Sequence, residues 1–297
     1  MENYVFDYTS FEQPGEAAWN GWNKGANGNM LKVMSEAGNH HLAFENFDGN
    51  LLGIILQKTL MGFTPGTAYS LSLRVKRLGQ SPRTTTLSWH IGKEPLPTNY
   101  KVEDTNWHTL TWRFDATDSK HSFELIGRDE SGHGNAPGAD FIFDDIRIQP
   151  IEVKEDFDGR ECKLQDPGAR IELNTMSIYF LPDSMGKAGI YNDPSWSALH
   201  EKEGLVMCHG QDDGSYTQRL HIDLPGAYNS ISFGWSYKHT SGEVKLYNTA
   251  NELLWSYTLQ QLHETISYTA NDNCIARIEL ICRDWSYFDF FVFKNIP

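Results

Sequence analysis

Flat aromatic rings set among amides are the residues of this chain best suited to chemistry, and the chemistry they suit is recognition. The apolar C–H faces of a sugar ring stack on Trp or Tyr, while its hydroxyls need planar polar partners such as Asn, Asp, Gln, Arg or His. The stretch AAWNGWNKGANGN (17–29) places Trp19 beside Asn20 and Asn23 in a Gly- and Asn-rich loop. PLPTNYK (95–101) offers Tyr100 on a second loop, and the polar face of the sheet offers Arg74, Lys76 and His90 together. In the second half, YNDPSW (191–196) and DWSYFD (284–289) carry Trp196 and Trp285 in polar, irregular company. Trp19, Asn20, Asn23, Arg74, His90, Tyr100, Trp196 and Trp285 are therefore the candidate carbohydrate contacts. Neutral amides beside an aromatic suit a neutral glycan, and the acidity of the chain disfavours uronate or sulfated polymers.

Signatures of catalysis are missing. The His-His pair at 40–41 and the GHG at 132–134 lack the i,i+4 spacing with Glu of a zinc protease. There is no GxSxG, no phosphate loop and no dinucleotide fingerprint. Acidic pairs such as Asp144–Asp145 and Asp212–Asp213 occur in any acidic protein. The expectation is a binding protein and no enzyme. The net charge of −14 excludes nucleic acid and anionic membrane surfaces as partners, since both call for Lys and Arg in excess. No run reaches the ~18 apolar residues of a membrane span, so no membrane insertion is expected. The opening MENYVFDYTS shows neither a basic nor an apolar leader segment, so no signal peptide is visible. Cys162, Cys208, Cys274 and Cys282 form no CxxC pair and no zinc spacing, and read as buried free thiols, with a disulfide as the alternative that only geometry can decide.

The elements that must hold these residues are strands. YSLSLRVKR (69–77) alternates Tyr69, Leu71, Leu73 and Val75 against Ser70, Ser72, Arg74 and Lys76. TTTLSWHI (84–91), HTLTWRF (108–114) and ISFGWSYK (231–238) share that period of two. It assigns Trp89, Trp112, Phe233 and Trp235 to the core. Turn signals such as TPGT, LPGA, TSGE and APGA recur between these runs, and helical spacing is confined to 194–204. Many short alternating strands mean an all-β fold of sandwich or jelly-roll type.

One phrase is written twice, ELIGRD at 124–129 and ELICRD at 279–284. Each copy is followed by Phe-Asp and an apolar closing run, FDDIRI and FDFFVF, and each half opens on Phe and a carboxylate, Phe11-Glu12 and Phe157-Asp158. The preserved order reads as two diverged copies of one fold, residues 1–150 and 151–297, with the boundary in IQPIEVKEDF (148–157).

The ordered set of the first half carries a resemblance: FE followed by Trp22, then GFTPGTAYSLSLRVK (62–76), NWHTLTWRFDA (106–116), SFELIGRD and a terminal DFIFDDIRI (140–148). It resembles the jelly-roll carbohydrate-binding modules appended to xylanases, other glucanases and similar secreted hydrolases, over nearly all of residues 1–150. The second half resembles them less and looks like a diverged β-sandwich. The resemblance implies Trp22 as a packing residue and Trp107, at the start of a strand, as a structural one. It also implies a structural calcium held between the first and last strands by Glu12 and Asp144, with Asp145 as alternative, and in the second half by Asp158 and Asp289. An extracellular or cell-surface setting goes with it, with a glycan or cell-surface glycoconjugate as partner. The expectation is a non-catalytic protein that binds a neutral glycan. The alternative is a β-sandwich component of a bacterial adhesin or toxin docking a protein receptor, and a third class is a glycan-active lyase or hydrolase.

Overall fold

A computed structural model describes residues 4–44, 53–78, 84–129, 141–192, 203–210, 214–215, 217–236, 241–271 and 274–295. The chain divides into two compact units, Met1–Pro150 and Ile151–Pro297. The first comprises β1 (Asp7–Thr9), β2 (Asn23–Lys24), β3 (Leu31–Glu36), β4 (Asn39–Phe44), β5 (Gly53–Met61), β6 (Ala68–Arg77), β7 (Thr85–Ile91), β8 (Glu94–Pro95), β9 (Tyr100–Val102), β10 (His108–Asp115), β11 (Lys120–Asp129) and β12 (Phe141–Pro150). The second comprises β13 (Glu152–Glu155), β14 (Lys163–Gln165), β15 (Arg170–Glu172), β16 (Ser177–Phe180), β17 (Lys187–Asn192), β18 (Glu203–His209), β19 (Gln218–Tyr228), β20 (Ser230–Ser236), β21 (Gly242–Tyr247), β22 (Leu253–Thr258), β23 (His263–Thr269), β24 (Ile275–Cys282) and β25 (Ser286–Lys294).

Each unit is a sandwich of two antiparallel sheets, so the chain is an all-β tandem. In the first unit one sheet runs β10-β6-β12-β4-β3, with β1 also on β12, and the other runs β2-β5-β11-β7-β8, with β9 also on β7. In the second unit the sheets run β14-β17-β18-β25-β20-β23, with β13 on β25, and β15-β16-β19-β24-β21-β22. The orders correspond strand for strand: β10-β6-β12-β4-β3 against β23-β20-β25-β18-β17, and β2-β5-β11-β7 against β16-β19-β24-β21. The repeated phrase lies on equivalent central strands, β11 and β24, and its Leu125 and Leu280 are both fully buried.

The period-two reading holds because one face of each strand meets the opposite sheet. Tyr69, Leu71, Leu73, Val75, Trp89, Trp112, Phe233 and Trp235 are all buried, as is Trp22, whose ring lies 5.7 Å from that of Trp89. Burying a side chain of this size contributes roughly 1.5–3 kcal/mol. At the unit boundary the expected linker is mostly strand. Pro150 ends β12 opposite Tyr69, where a missing N–H is tolerated, and β13 begins two residues later. The short helix expected at 194–204 lies outside the described residues except for Glu203 and Gly204, which belong to β18. No helix among the described residues is long and apolar enough to cross a membrane, a statement that does not extend to strands.

Candidate functional site

The loop that carries Trp19 is held from several sides. Residues Gly15–Trp19 form one turn of 3-10 helix, closed by Asn20 in the left-handed region at φ 44. Asn20 Nδ2 donates to Asp7 Oδ1 at 3.2 Å, the Tyr8 carbonyl at 3.0 Å and Thr9 Oγ1 at 3.1 Å. Its carbonyl accepts from Lys58 Nζ, which also pairs with Asp7 at 2.5 Å, with both side chains nearly buried. Beyond Trp22, Gly25 and Gly28 press on β5. A Cβ at Gly28 would stand 2.0 Å from the Ile55 carbonyl oxygen, and one at Gly25 2.3 Å from that of Ile54.

This scaffold leaves Trp19 half-buried. Its ring meets Phe11 edge-on at 6.3 Å, and Lys24 Nζ lies 5.8 Å from its centroid. Trp19 forms part of the wall of a groove of about 660 Å³, whose polar lining includes Glu12, Glu16, Lys24, Lys32 and His40. One aromatic surface ringed by charged and hydrogen-bonding groups of both signs is a chemistry that matches a sugar ring and its hydroxyls.

The other candidates do not join Trp19. Asn20 spends its Nδ2 on the loop contacts above, as a left-handed residue that closes a turn lays its side chain beside the backbone it caps. Arg74 and His90, expected on one polar sheet face, lie instead on β6 and β7 in opposite sheets, so their outer faces point apart. Asn23 and His90 share the second sheet, where the strand register aligns Asn23, Gln57, Glu124 and His90 in a polar row. Tyr100 packs edge-on against Trp112 at 4.8 Å and donates its hydroxyl to the Thr111 carbonyl at 2.7 Å, so it seals the edge of the core. Trp285 lies half-buried in a ring cluster, 4.8 Å from His209 and 6.0 Å from Tyr287. Trp196 lies outside the described residues.

Trp107, expected as a structural residue, and Tyr8, which no sequence pattern marked, face outward with Arg74. The guanidinium of Arg74 lies 4.9 Å and Lys76 Nζ 5.1 Å from the centroid of half-buried Trp107. Arg74 also reaches Asp145 at 3.4 Å, Asp145 accepts from the Tyr8 hydroxyl at 2.6 Å, and Arg147 lies 4.5 Å from the Tyr8 ring centroid. Burial and Asp145 hold the Tyr8 phenol well above its ordinary range. The face shared by Arg74 and Lys76 was visible in their alternation; the return of Trp107 over it was not, because Trp107 precedes the strand. In the second unit Trp255 stacks with Tyr257 at 5.4 Å and with Tyr268 at 5.1 Å, three half-buried rings linking β22 and β23.

The carboxylates implied as metal ligands sit at equivalent places. β12 changes neighbour from β4, at Phe143, to β1, at Ile146, and Asp144–Asp145 lie at the change, with Asp145 at φ 51. β25 changes from β18 to β13 at Asp289–Phe290, with Phe290 at φ 55. Each buried Asp accepts from the next backbone N–H, at 2.8 Å in Asp144 and 2.7 Å in Asp289. Phe11 and Phe157, ahead of Glu12 and Asp158, are left-handed at φ 58 and 56. Glu12 accepts from the His40 backbone at 2.8 Å and meets its ring nitrogen at 2.7 Å, contacts that hold its carboxyl below the ordinary range. Asp144 accepts from Asn39 at 3.0 Å, so the two carboxylates meet adjacent residues of β4. Burial pushes Asp144 up to about 6. Asp145 turns instead to Tyr8 and Arg74. In the second unit Asp158 donates its backbone N–H to Asp156, and the next residue, Gly159, donates to Glu203 at 3.2 Å. Among the described residues no three His, Cys, Asp or Glu side chains converge. A cation beside Glu12 and Asp144 would have these two carboxylates as its oxygen donors, whereas calcium takes six to eight oxygens, and the Asn39 amide turns its Nδ2 donor toward Asp144.

No protein-family model matches the chain, and no curated protein matches it. Among solved structures it is similar to the N-terminal CBM22-1–CBM22-2 tandem domain from Paenibacillus barcinonensis Xyn10C, at 15% identity and a TM-score of 0.36, over 99% of both chains. It is similar to the C-terminal domain of EclA, described as a sugar-binding protein, at 24% identity and a TM-score of 0.33, over 48% of this chain and 97% of that one. A Paenibacillus xanthan lyase matches at 13% identity and a TM-score of 0.31, over 90% of this chain and 25% of that one.

Proposed function

We propose that the protein is a non-catalytic carbohydrate-binding protein whose first unit holds a neutral glycan in the groove beside Trp19. The observation that carries this reading is a half-buried indole, fixed by Phe11 and an anchored loop, on the wall of a groove of about 660 Å³ edged by Glu12, Glu16, Lys24, Lys32 and His40. Because the ring is held before the ligand arrives, little ordering opposes binding. An extracellular or cell-surface setting, with a glycoconjugate as partner, belongs to the same proposal, as does a calcium at Glu12 and Asp144 that staples the first strand to the last. The outer face with Trp107, Arg74 and Tyr8 is the second candidate surface, favoured by two outward aromatics linked through Asp145.

A glycan array followed by calorimetry tests it. A stacked aromatic contributes about 1 kcal/mol beyond its buried area, so Trp19→Ala is expected to weaken a glycan that the parent binds roughly five- to tenfold. Trp107→Ala should leave that affinity intact. The reverse outcome moves the site to the outer face. An array with no glycan bound, together with capture of a purified receptor protein, replaces this reading with the adhesin or toxin alternative, and shortened polysaccharide products replace it with the enzyme.

A further inference from the structure

The two copies of the repeated phrase differ at one residue, Gly127 in the first and Cys282 in the second. Cys282 closes β24, and Cys208 stands near the end of β18 in the other sheet of the same unit; both are buried. Their Sγ atoms are 3.4 Å apart, about the contact distance of two sulfurs. Cys208 occupies the left-handed region at φ 49, uncommon for a residue with a side chain. Its N–H donates to Gln218 Oε1 at 2.6 Å. Gln218 is buried, is the direct cross-strand partner of Cys282, and donates its Nε2 to the Met185 carbonyl at 2.9 Å. One buried amide thus fixes the backbone of one cysteine to the strand position facing the other. Of the four cysteines expected to be buried, Cys162 is instead exposed and Cys274 half-exposed.

We propose that Cys208 and Cys282 are a covalent modification site, forming a disulfide that joins the two sheets of the second unit. The sulfurs must approach by about 1.4 Å to reach the ~2.05 Å bond. The oxidant is a small disulfide such as oxidised glutathione, or a disulfide oxidoreductase. One cysteine, as thiolate, attacks it and releases the first reduced thiol; the second cysteine then displaces the remaining half. Two protons and two electrons leave the pair, and the oxidant's disulfide becomes two thiols. Burial, with Cys208 alongside, pushes the Cys282 thiol well up. The exchange therefore proceeds as the unit folds or opens, and the finished bond is shielded from reductant. The cross-link closes a loop spanning 74 positions, long enough for the constraint on the unfolded chain to be large.

The test refolds the reduced full chain in a mixture of oxidised and reduced glutathione and also holds the native reduced chain with oxidised glutathione. Both samples are then denatured in N-ethylmaleimide for peptide mass mapping. By refolding at least, Cys208 and Cys282 are expected to be joined and unalkylated, with Cys162 and Cys274 recovered as separate modified residues. The melting temperature of the second unit should rise on the order of 10 °C over the reduced chain. Cys282→Ser should remove both the cross-link and the shift while leaving a folded reduced-like chain. Alkylation of both Cys208 and Cys282 by both routes, or a cross-link from either to Cys162 or Cys274, overturns the proposal and makes the pair two packed thiols.

Discussion

Replacing Glu279 by Gln should destabilise the second unit, while the same change at Glu124, its counterpart in the repeated phrase, should not. Glu279 is buried on β24, and its Oε1 accepts from Arg219 Nε at 2.9 Å and a terminal guanidinium nitrogen at 2.5 Å. Oε2 accepts from the Tyr247 hydroxyl at 2.7 Å. His221, Tyr247 and Arg219 hold the carboxyl down from 4.5 to about 2. At 3.9 Å His221 is too far for a hydrogen bond, so the guanidinium and phenol contacts carry more of that effect. The difference between the ordinary 4.5 and about 2 corresponds to about 3.4 kcal/mol. Because Arg219 is 38% exposed, solvent screening brings a working figure nearer 2–3 kcal/mol. The sign follows from the depressed value: the stabilisation is complete above the unfolded pKa and is lost as pH falls through about 2. Glu124 is half-exposed, and its cross-strand neighbours are His90 and Gln57. Urea unfolding followed by fluorescence from pH 7 to pH 2.5 should show the Glu279→Gln deficit at pH 7 shrinking below pH 4.5. Glu124→Gln should stay within about 0.5 kcal/mol throughout. Parallel curves for parent and Glu279→Gln, or equal losses at the two sites, would refute the reasoning.

Gly28→Ala should cost about 3 kcal/mol or more and abolish glycan binding with it, since a Cβ would lie 2.0 Å from the Ile55 carbonyl and force the Trp19 loop off β5; a melting curve and the array read both effects. Trp19→Ala should lower stability by only about 1–2 kcal/mol, because the ring is half-buried, and a chain that unfolds outright would make Trp19 a core residue. Chelation at pH 7.5 should lower the melting temperature of the first unit, because a cation bound only by the folded state adds to stability. The raised Asp144 means that the metal-free fold binds more protons than the unfolded chain between about pH 4 and 6, so its stability falls as pH rises through that window. Calcium, which needs the carboxylate, should therefore raise the melting temperature more at pH 7.5 than at pH 5, and Asp144→Asn should remove the difference. Melting that ignores both chelator and calcium removes the metal.

How far the sequence could be read follows from the range of each interaction. Alternation is local, so YSLSLRVKR showed its inner and outer faces, and Trp89, Trp112 and Trp235 could be assigned to the core. The duplicated order was legible because both copies kept Phe and Asp on the closing strand. Which sheet a strand joins is not local. Arg74 and His90 each had a polar face, yet β6 and β7 belong to different sheets, and those faces point apart. Asn20 looked like a free amide because the capping partners, Asp7 and Thr9, lie on the preceding strand. Trp107 read as structural from its place at the start of a strand, and nothing local says that the chain before β10 returns over Arg74, Lys76 and His41.

The two halves show where the shared fold admits divergence. Both keep an Asp at the change of strand neighbour, a left-handed residue after it, and a left-handed Phe after the first strand. These positions are fixed by backbone path, which tolerates little. The side chains that face outward or meet across the sandwich are free to differ, and there the copies part. Glu124 is half-exposed where Glu279 is the hub of Arg219 and Tyr247. Gly127 holds the place where Cys282 meets Cys208. The second unit thus places an ion-pair hub and a thiol pair on the strand that corresponds to β11, while the first retains the loop with Trp19. If Trp19 holds the glycan as proposed, the ion-pair hub and the thiol pair of the second unit bear on stability alone. On that division, mutations at Glu279 or Cys282 should change melting and leave glycan affinity unmoved, while Trp19 should do mainly the reverse.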